Sequence, residues 1–393
     1  MKKVELLIPA GDLERLKYAV MYGADAVYFG GINFSLRAKA SNFSLEDIEE
    51  GVKFAHKHKV KVYVTLNIVP HNEDFEGLKE YLKALSKIGI DGLIITSFAY
   101  LDLVNKYAKN VEKHISTQSS VINSDAIKFY ENLGVDRIVL GRELNLDEIK
   151  AIKEKTNLKL EVFIHGGMCA GLSGRCILSN YMADRDANRG GCAHSCRWNY
   201  SLKLESGKLH DFTMGSKDLS ALGLIPKMID LGIDSLKIEG RMKSVYYIAS
   251  ITRIYRALID EYLETGEIAD FKIYEEELRS VESRETATGF LEGDIKPDEQ
   301  YFDPKLENAP KNFLGKVLDF DSKTNIVTLE QRNNFKIGDE VEFISPHKKA
   351  ISFVIEEMEN SDGEKIEVAP HPLEIITFKV SFKLEEGTLM RKK

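Results

Sequence analysis

Along the first two thirds of the chain, short apolar runs alternate with longer segments whose apolar positions recur every three to four residues. The short runs predict strands at Val4–Pro9, Ala26–Phe29, Val60–Leu66, Gly92–Thr96, Lys113–Thr117, Arg137–Leu140, Leu158–His165 and Ser235–Glu239. Runs this rich in Val, Ile and Leu, with no polar alternation, are those of strands covered on both faces, as in parallel sheets. The periodic segments between them predict helices at Leu13–Tyr22, Ser44–His58, Asp74–Ile88, Ala99–Lys109, Ser124–Leu133, Asp147–Thr156, Lys217–Leu231 and Val245–Thr265. The second opens on a capping box, Ser44 to Asp47, with Asp in place of Glu or Gln.

A local signature recurs four times: Gly23-Ala24-Asp25, Gly89-Ile90-Asp91, Gly134-Val135-Asp136 and Gly232-Ile233-Asp234, each between a helical segment and a strand. Glycine just past a helix end supplies the left-handed residue that terminates it. Helix and buried strand in strict alternation mean parallel βα units. Eight such units in roughly 265 residues match a (β/α)₈ TIM-like barrel, with an open doubly wound sheet as the alternative.

The seventh βα connection is oversized. About fifty residues lie between His165 and the helix near Lys217, where barrel loops usually hold ~2–6. This Cys-rich insertion, 166–214, leaves the C-terminal end of strand seven, the face on which barrel enzymes carry their chemistry. Its last part alternates around Ser206-Gly207 as a hairpin does. Residues 1–265 are thus expected to form the barrel and 266–311 a charged helical segment and a linker marked by Pro297, Pro304 and Pro310. Residues 312–393, with short alternating strands, are expected to form a small antiparallel β-barrel.

Composition adds a boundary condition. The 393 residues are 43% hydrophobic and 30% charged with net charge −8. That balance suits a protein with a sizeable core and argues against a chain-wide electrostatic mode of nucleic-acid binding, though a local basic patch remains compatible. No apolar run approaches the ~20 residues that span a bilayer, and the N-terminal stretch lacks a signal-type apolar core. No membrane partner is expected, and a cytoplasmic setting is, where thiols stay reduced. Oligomeric state is not legible.

All four cysteines, Cys169, Cys176, Cys192 and Cys196, fall inside the insertion. Their spacing is C-x6-C-x15-C-x3-C, with Gly166, Gly167, Gly171, Gly174, Gly190 and Gly191 around them. Only the last pair has the tight spacing of a structural zinc site, and the ferredoxin spacings are absent. The chemistry leaves open an iron–sulfur cluster, a zinc ion and free thiols. Strand tips and insertion supply polar candidates: Asn67, Gln118, Arg142, Glu143, His165, Glu239, Arg241, Arg175, Tyr181, Arg185, Arg189, Arg197 and Trp198. Any one could be a salt bridge or a loop cap, and His165 a packed ring. Together, guanidinium groups at one barrel mouth suit an anionic small molecule, and Trp198 beside arginines suits stacking on a base.

The stretch Glu161, Phe163, Gly166, Gly167, Met168, Cys169, Gly174, Cys176, Leu178, Ser179 resembles the collagenase-like family of unassigned peptidases, the thirty-second of its series. The similarity continues through Asn180-Tyr181, Arg185–Asn188, Gly191-Cys192, Cys196–Trp198 and Leu236–Arg241, and is strongest to the branch that hydroxylates tRNA. At Arg284–Phe290 the chain reads Arg-Glu-Thr-Ala-Thr-Gly-Phe where that branch has Arg-Gly-Tyr-Thr-Thr-Gly-Phe. The resemblance implies a [4Fe–4S] cluster on the four cysteines. It also implies formation of 5-hydroxyuridine at the tRNA wobble position, with prephenate as cosubstrate. On this basis His165, Glu239 and Arg241 are the expected catalytic set. Arg142, Gln118, Asn67, Arg175, Arg185, Arg189, Arg197 and Trp198 are expected to bind cosubstrate and the tRNA anticodon arm. A peptidase is the competing expectation, although neither HExxH nor GxSxG occurs. A non-catalytic RNA-binding accessory protein is the other.

Overall fold

A computed structural model of the chain describes residues 3–32, 34–36, 42–282, 284–301, 313–346 and 348–393. Eight parallel strands close on themselves: β1 Glu5–Pro9, β2 Ala26–Gly30, β3 Lys61–Leu66, β4 Gly92–Ile95, β5 Glu112–Ile115, β6 Arg137–Val139, β7 Lys159–Gly166 and β8 Ser235–Ile238. The order runs from β1 to β8, and β8 pairs with both β7 and β1, which closes the barrel and excludes the open sheet. Helices α1 Leu13–Met21, α2 Leu45–Lys57, α3 Leu78–Ile88, α4 Leu101–Tyr107, α5 Ser124–Asn132 and α6 Leu146–Lys153 follow β1 to β6 in turn. A short helix α7, Leu178–Ala183, lies in the insertion, and α8 Ile225–Asp230, α9 Val245–Thr265 and α10 Phe271–Arg279 complete the set.

The Gly-x-Asp repeats have one physical use. Gly23, Gly89, Gly134 and Gly232 all have positive φ, from 72° to 106°, so each ends its helix in the left-handed region. The aspartate two residues later turns its carboxylate onto the neighbouring strand. Asp25 accepts from Leu6 N at 3.0 Å, Asp91 from Val62 N at 2.8 Å, Asp136 from Lys113 N at 2.8 Å and Asp234 from Leu160 N at 3.0 Å. Four strand starts at the N-terminal end of the barrel are thereby tied to their neighbours. Ser44 and Asp47 form the expected capping box.

The barrel interior is part apolar and part ionic. Leu7, Ala26, Tyr28, Tyr63 and Ile94 form a small cluster. Beside it the buried Glu161 carboxylate sits between Lys237 Nζ at 2.7 Å and Arg137 Nη1 at 2.9 Å. Arg137 also bonds Glu5, which Tyr63 and Ser235 contact through their hydroxyls. Burial opposes the charge on Glu161, but Lys237 and Arg137 overcome it and hold the carboxyl down at about 2. Lys237 also lies 4.4 Å over the Tyr28 ring.

The connection from β7 to β8 departs from the expectation of a helix over 217–231. Asp218–Ser220 is a strand that lies antiparallel on the end of β7, Leu219 opposite Gly166 and Ser220 opposite His165. The helix starts only at Ile225, with Pro226 in its first turn, where its missing N–H costs nothing. The segment 266–301 does more than link. Thr286-Ala287 pairs parallel with 218–219 and Gln300-Tyr301 pairs with 215–216, so this stretch is stitched to the barrel mouth. Pro304 and Pro310 lie outside the described residues.

From Phe313 a six-stranded antiparallel sheet curves round its own core of Leu314, Val327, Phe343, Ile376 and Met390 as a half-barrel. Its last strand, Leu389–Lys392, is inserted between 313–321 and 340–344 and has no counterpart among the expected strands. The half-barrel docks on the helices of the barrel. The Tyr22 hydroxyl lies 2.9 Å from the carbonyls of Ile344 and Gly387, Phe313 stacks on Tyr246, and Arg391 bonds both carboxylate oxygens of Glu277. No described helix is long and apolar enough to cross a membrane.

Candidate active site

The insertion folds over the C-terminal mouth of the barrel and is pinned at both ends. At its start, Glu143 on the loop after β6 accepts from the backbone N–H and hydroxyl of Ser173, a buried residue of positive φ. Farther along, Arg189 bonds Asp74 at 2.7 Å and Glu73 at 3.0 Å on the loop after β3, and Val69 N bonds Asn188 O. Burial would raise the Asp74 carboxyl, but the bonds from Arg189 and His71 N hold it below the usual range. Arg189, expected to bind substrate, is thus engaged as a clamp.

Within this frame the four thiols form one neighbourhood. Cys196 senses the charge of Cys169, Cys192 and Cys176, and Cys169 that of Cys176 and Cys192. Burial pushes both thiols up, while Arg142 beside Cys169 and Arg197 beside Cys196 pull the other way. Three of the four sulfurs accept an amide two residues on: Gly171 N to Cys169 Sγ at 3.4 Å, Leu178 N to Cys176 Sγ at 3.3 Å and His194 N to Cys192 Sγ at 3.4 Å. Amides aimed at sulfur stabilise the thiolate and tune a metal centre. No three His, Cys, Asp or Glu side chains among the described residues converge on a single-ion position.

Close approach is permitted by glycine. A Cβ on Gly171 would lie 2.5 Å from Arg175 O and 2.8 Å from Cys176 Cβ, so Gly171 lets the two halves of the first loop meet. One on Gly191 would lie 2.6 Å from Asp186 O, beside Cys192. Asn188 brackets Cys176, accepting from its N–H at 3.3 Å and donating to its carbonyl at 3.1 Å. Ser179 is buried between Ala193 N, Cys192 Sγ and Ser195 Oγ. These donor groups and glycine cradles fit a bulky thiolate-bound centre.

The strand-tip residues divide. Arg142 stacks on Phe163 with its guanidinium carbon 3.8 Å from the ring centroid and bonds Gly167 O at 2.7 Å, next to Cys169. Asn67 and Gln118 meet at 3.5 Å, and Gln118 lies under Gly174. Arg197 reaches Met168 O at 3.4 Å and the buried Asp218 at 3.3 Å. These residues and the cysteines share the mouth. Arg175 and Trp198 are exposed on the insertion, Arg185 is half-buried against Cys192 O, and Glu239 is half-buried at the tip of β8.

One of the expected catalytic residues faces elsewhere. His165 is 2% exposed, packed against Tyr247 and Tyr255 of α9 with Nδ1 3.2 Å from the Tyr255 hydroxyl. Burial, with Lys243 adding, holds its ring at about 3, neutral at any ordinary pH. Its strand continues the barrel wall past an irregular register, and the ring lands on the helix side. Arg241 is buried over Gly30 and bonds Leu36 O and Asn42 Oδ1, both at 3.1 Å, and Leu36 N in turn bonds Asn67 Oδ1 at 3.0 Å, which keeps Arg241 beside the mouth. Arg284, Ser216, Thr213 and Asn188 were not singled out from the sequence. Arg284 and Asn188 stood in quoted motifs, and the placement of Arg284, Ser216 and Thr213 depends on strand pairings distant in the chain.

The family model for peptidase family U32 matches residues 11–300, and that for its C-terminal domain matches residues 310–391. The chain belongs to peptidase family U32. Among U32 relatives, tRNA hydroxylation protein P1 of Bacillus subtilis is 47% identical over 100% of this chain and 95% of its own. The 23S rRNA 5-hydroxycytidine C2501 synthase of Escherichia coli is 40% identical over 68% of this chain and 41% of its own. A collagenase of Porphyromonas gingivalis is 31% identical over 90% of this chain and 89% of its own. The U32 match spans both the barrel with its insertion and the half-barrel.

Proposed function

We propose that this chain is an RNA hydroxylase that converts the wobble uridine of tRNA to 5-hydroxyuridine, with a [4Fe–4S] cluster on Cys169, Cys176, Cys192 and Cys196 and prephenate as its anionic cosubstrate. The observation that carries it is the set of four neighbouring thiols, three with an amide aimed at sulfur, over the barrel mouth. The tRNA-hydroxylating and rRNA-hydroxylating names of two relatives supply the substrate class and reaction. Replacing C5–H of a pyrimidine by C5–OH removes two electrons and adds one oxygen atom, and a bound cluster would pass the electrons one at a time to an external two-electron acceptor. Zinc is the competing occupant, since Cys₄ also suits it.

The chain's own groups have separable tasks. Arg142 and Arg197 place positive charge beside the first and last thiols and would stabilise an anionic centre. Glu239 is the half-buried carboxylate at the tip of β8, adjoining Gly166, and is the group we assign to proton transfer. Tyr181, 82% exposed, and Trp198, 39% exposed, offer ring faces on which unstacked bases can lie, with Arg175 and Arg185 alongside for phosphate. An acidic chain can bind RNA in this way because the contact is local.

The test has two arms. Nucleoside mass spectrometry of tRNA from a deletion strain should lose 5-hydroxyuridine and its derivatives, restored by the wild-type chain and not by Cys176→Ala. Anaerobically purified protein should be brown with about four irons per chain, and each Cys→Ala should lose colour. A colourless protein carrying one zinc sinks the cluster. Intact nucleosides together with cleavage of collagen peptides would establish the peptidase instead.

A further inference from the structure

Beside the fourth cysteine lies a cavity of about 200 Å³ lined by Arg197, Asn199, Thr213, Ser216, Arg284 and Tyr301, with Gly215 at its wall. Three chain segments meet there. Arg197 follows Cys196 directly, and Met214 N bonds Cys196 O at 2.8 Å. Gly215-Ser216 pairs with Gln300-Tyr301, and Asp218-Leu219 pairs with Thr286-Ala287, which carries Arg284 in from the sequence-distant side. Behind the lining, the buried Asp218 carboxylate stands 3.3 Å from Arg197 Nη2 and 3.7 Å from Arg284 Nη1, fixing the direction of both forks. No acid is among the lining residues described. Ser216 Oγ is buried with no hydrogen-bond partner among the described residues. A buried hydroxyl left unsatisfied costs free energy unless a ligand or water completes it.

We infer that this cavity is the subsite for the carboxylate of a small organic acid. Two guanidinium groups, a hydroxyl without a partner among the described residues and the Asn199 amide form a donor set that matches a carboxylate in bidentate fashion. The Thr213 hydroxyl already donates to Tyr301 O, so it shapes the wall rather than adding a donor. The volume is that of about six or seven waters, room for a small molecule rather than a polynucleotide strand. Its position against Cys196 would put such an acid next to the thiol centre. The inference deepens the function proposed above and rests on it only for which acid binds.

Isothermal titration of the anaerobic holoprotein with prephenate, with succinate and with an anticodon stem–loop RNA tests it, using Arg284→Ala, Arg284→Lys and Ser216→Ala. Iron per chain and circular dichroism serve as folding controls. Arg284→Ala should weaken prephenate at least about tenfold, the worth of a charge-assisted hydrogen bond. Arg284→Lys should recover part of that loss, and Ser216→Ala should weaken binding about threefold to tenfold. Iron content and stem–loop affinity should not change. Prephenate affinity within twofold of wild type in both alanine variants overturns the subsite. So does a variant that loses the stem–loop and keeps prephenate, since the site would then take RNA phosphate, and so does a wild type that binds neither acid. Arg284-dependent binding of an acid in a strain whose tRNA keeps 5-hydroxyuridine after deletion would leave the subsite standing and refute the hydroxylase.

Discussion

Gly171→Ala isolates the geometry of the thiol centre from everything around it. Gly171 has φ −88° and ψ 147°, a conformation any residue adopts, so alanine meets no backbone strain there. The cost is contact. The new methyl group would stand 2.5 Å from Arg175 O and 2.8 Å from Cys176 Cβ, short by 0.9 and 0.6 Å of the 3.4 Å at which ordinary contact begins. Neither neighbour is the end of a flexible side chain, so the Arg175-Cys176 backbone must retreat by several tenths of an ångström. Metal–thiolate distances tolerate only about 0.2 Å. Overpacking of this kind costs about 1–3 kcal/mol, which corresponds to a roughly 5- to 150-fold loss of metal affinity. Gly223→Ala is the control, because nothing lies within 4 Å of a Cβ there. Iron per chain after anaerobic reconstitution at limiting iron, alongside thermal unfolding of the metal-free protein, provides the readout. Gly171→Ala should lose most of its metal while the metal-free protein unfolds near the wild-type temperature, and Gly223→Ala should load fully. Equal loading of the two variants would refute the idea that the apposition of Cys169 and Cys176 depends on this glycine.

Glu161→Leu in the barrel interior strands Lys237 and leaves Arg137 with Glu5 alone, so chemical denaturation should show a loss of about 3–5 kcal/mol, with a loss under 1 kcal/mol contradicting the ionic account. Burial pushes the Glu282 carboxyl up to about 7, so it keeps its proton in the native state over a window in which the unfolded chain loses it. Its contribution is complete below about 4.5 and is lost as pH rises to about 7, up to about 3 kcal/mol in all, so between about pH 4.5 and 6.5 it offsets the opposite trend of His165, 4.0 Å away. His165, held down at about 3, has the opposite sign: its contribution is present above about 6.5 and fades as pH falls, so Glu282→Gln should unmask an acid sensitivity below pH 6.5 that an unchanged pH profile would disprove. Tyr181→Ala should weaken an anticodon stem–loop about five- to a hundredfold, the worth of one stacked base, without changing iron content, and an unaltered affinity would remove Tyr181 from the RNA surface.

Local chemistry made much of this protein readable from the chain alone. The Gly-x-Asp repeats announced both the helix ends and the strand starts, because positive φ and a short carboxylate are local needs that only those residues meet. The oversized seventh connection was legible for a similar reason, since its length and its four cysteines are properties of the local chain, and the structure places it over the barrel mouth. Tertiary structure decided the rest. Whether eight strands close depends on β8 finding β1 and β7, a pairing across some 230 residues in the first case. His165 looked like a mouth residue by its place on a strand tip, yet past a register irregularity its ring packs on α9. Arg189 looked like a substrate ligand and is a clamp, because its partners Glu73 and Asp74 lie over a hundred residues away. Arg284 and Ser216 acquire a shared cavity only through two short ladders between distant segments. Sequence sets conformations that neighbours in the chain enforce. It does not reveal which distant side chains will compete for the same few ångströms, and at this barrel mouth that competition separates the residues left to bind from those spent on holding the fold.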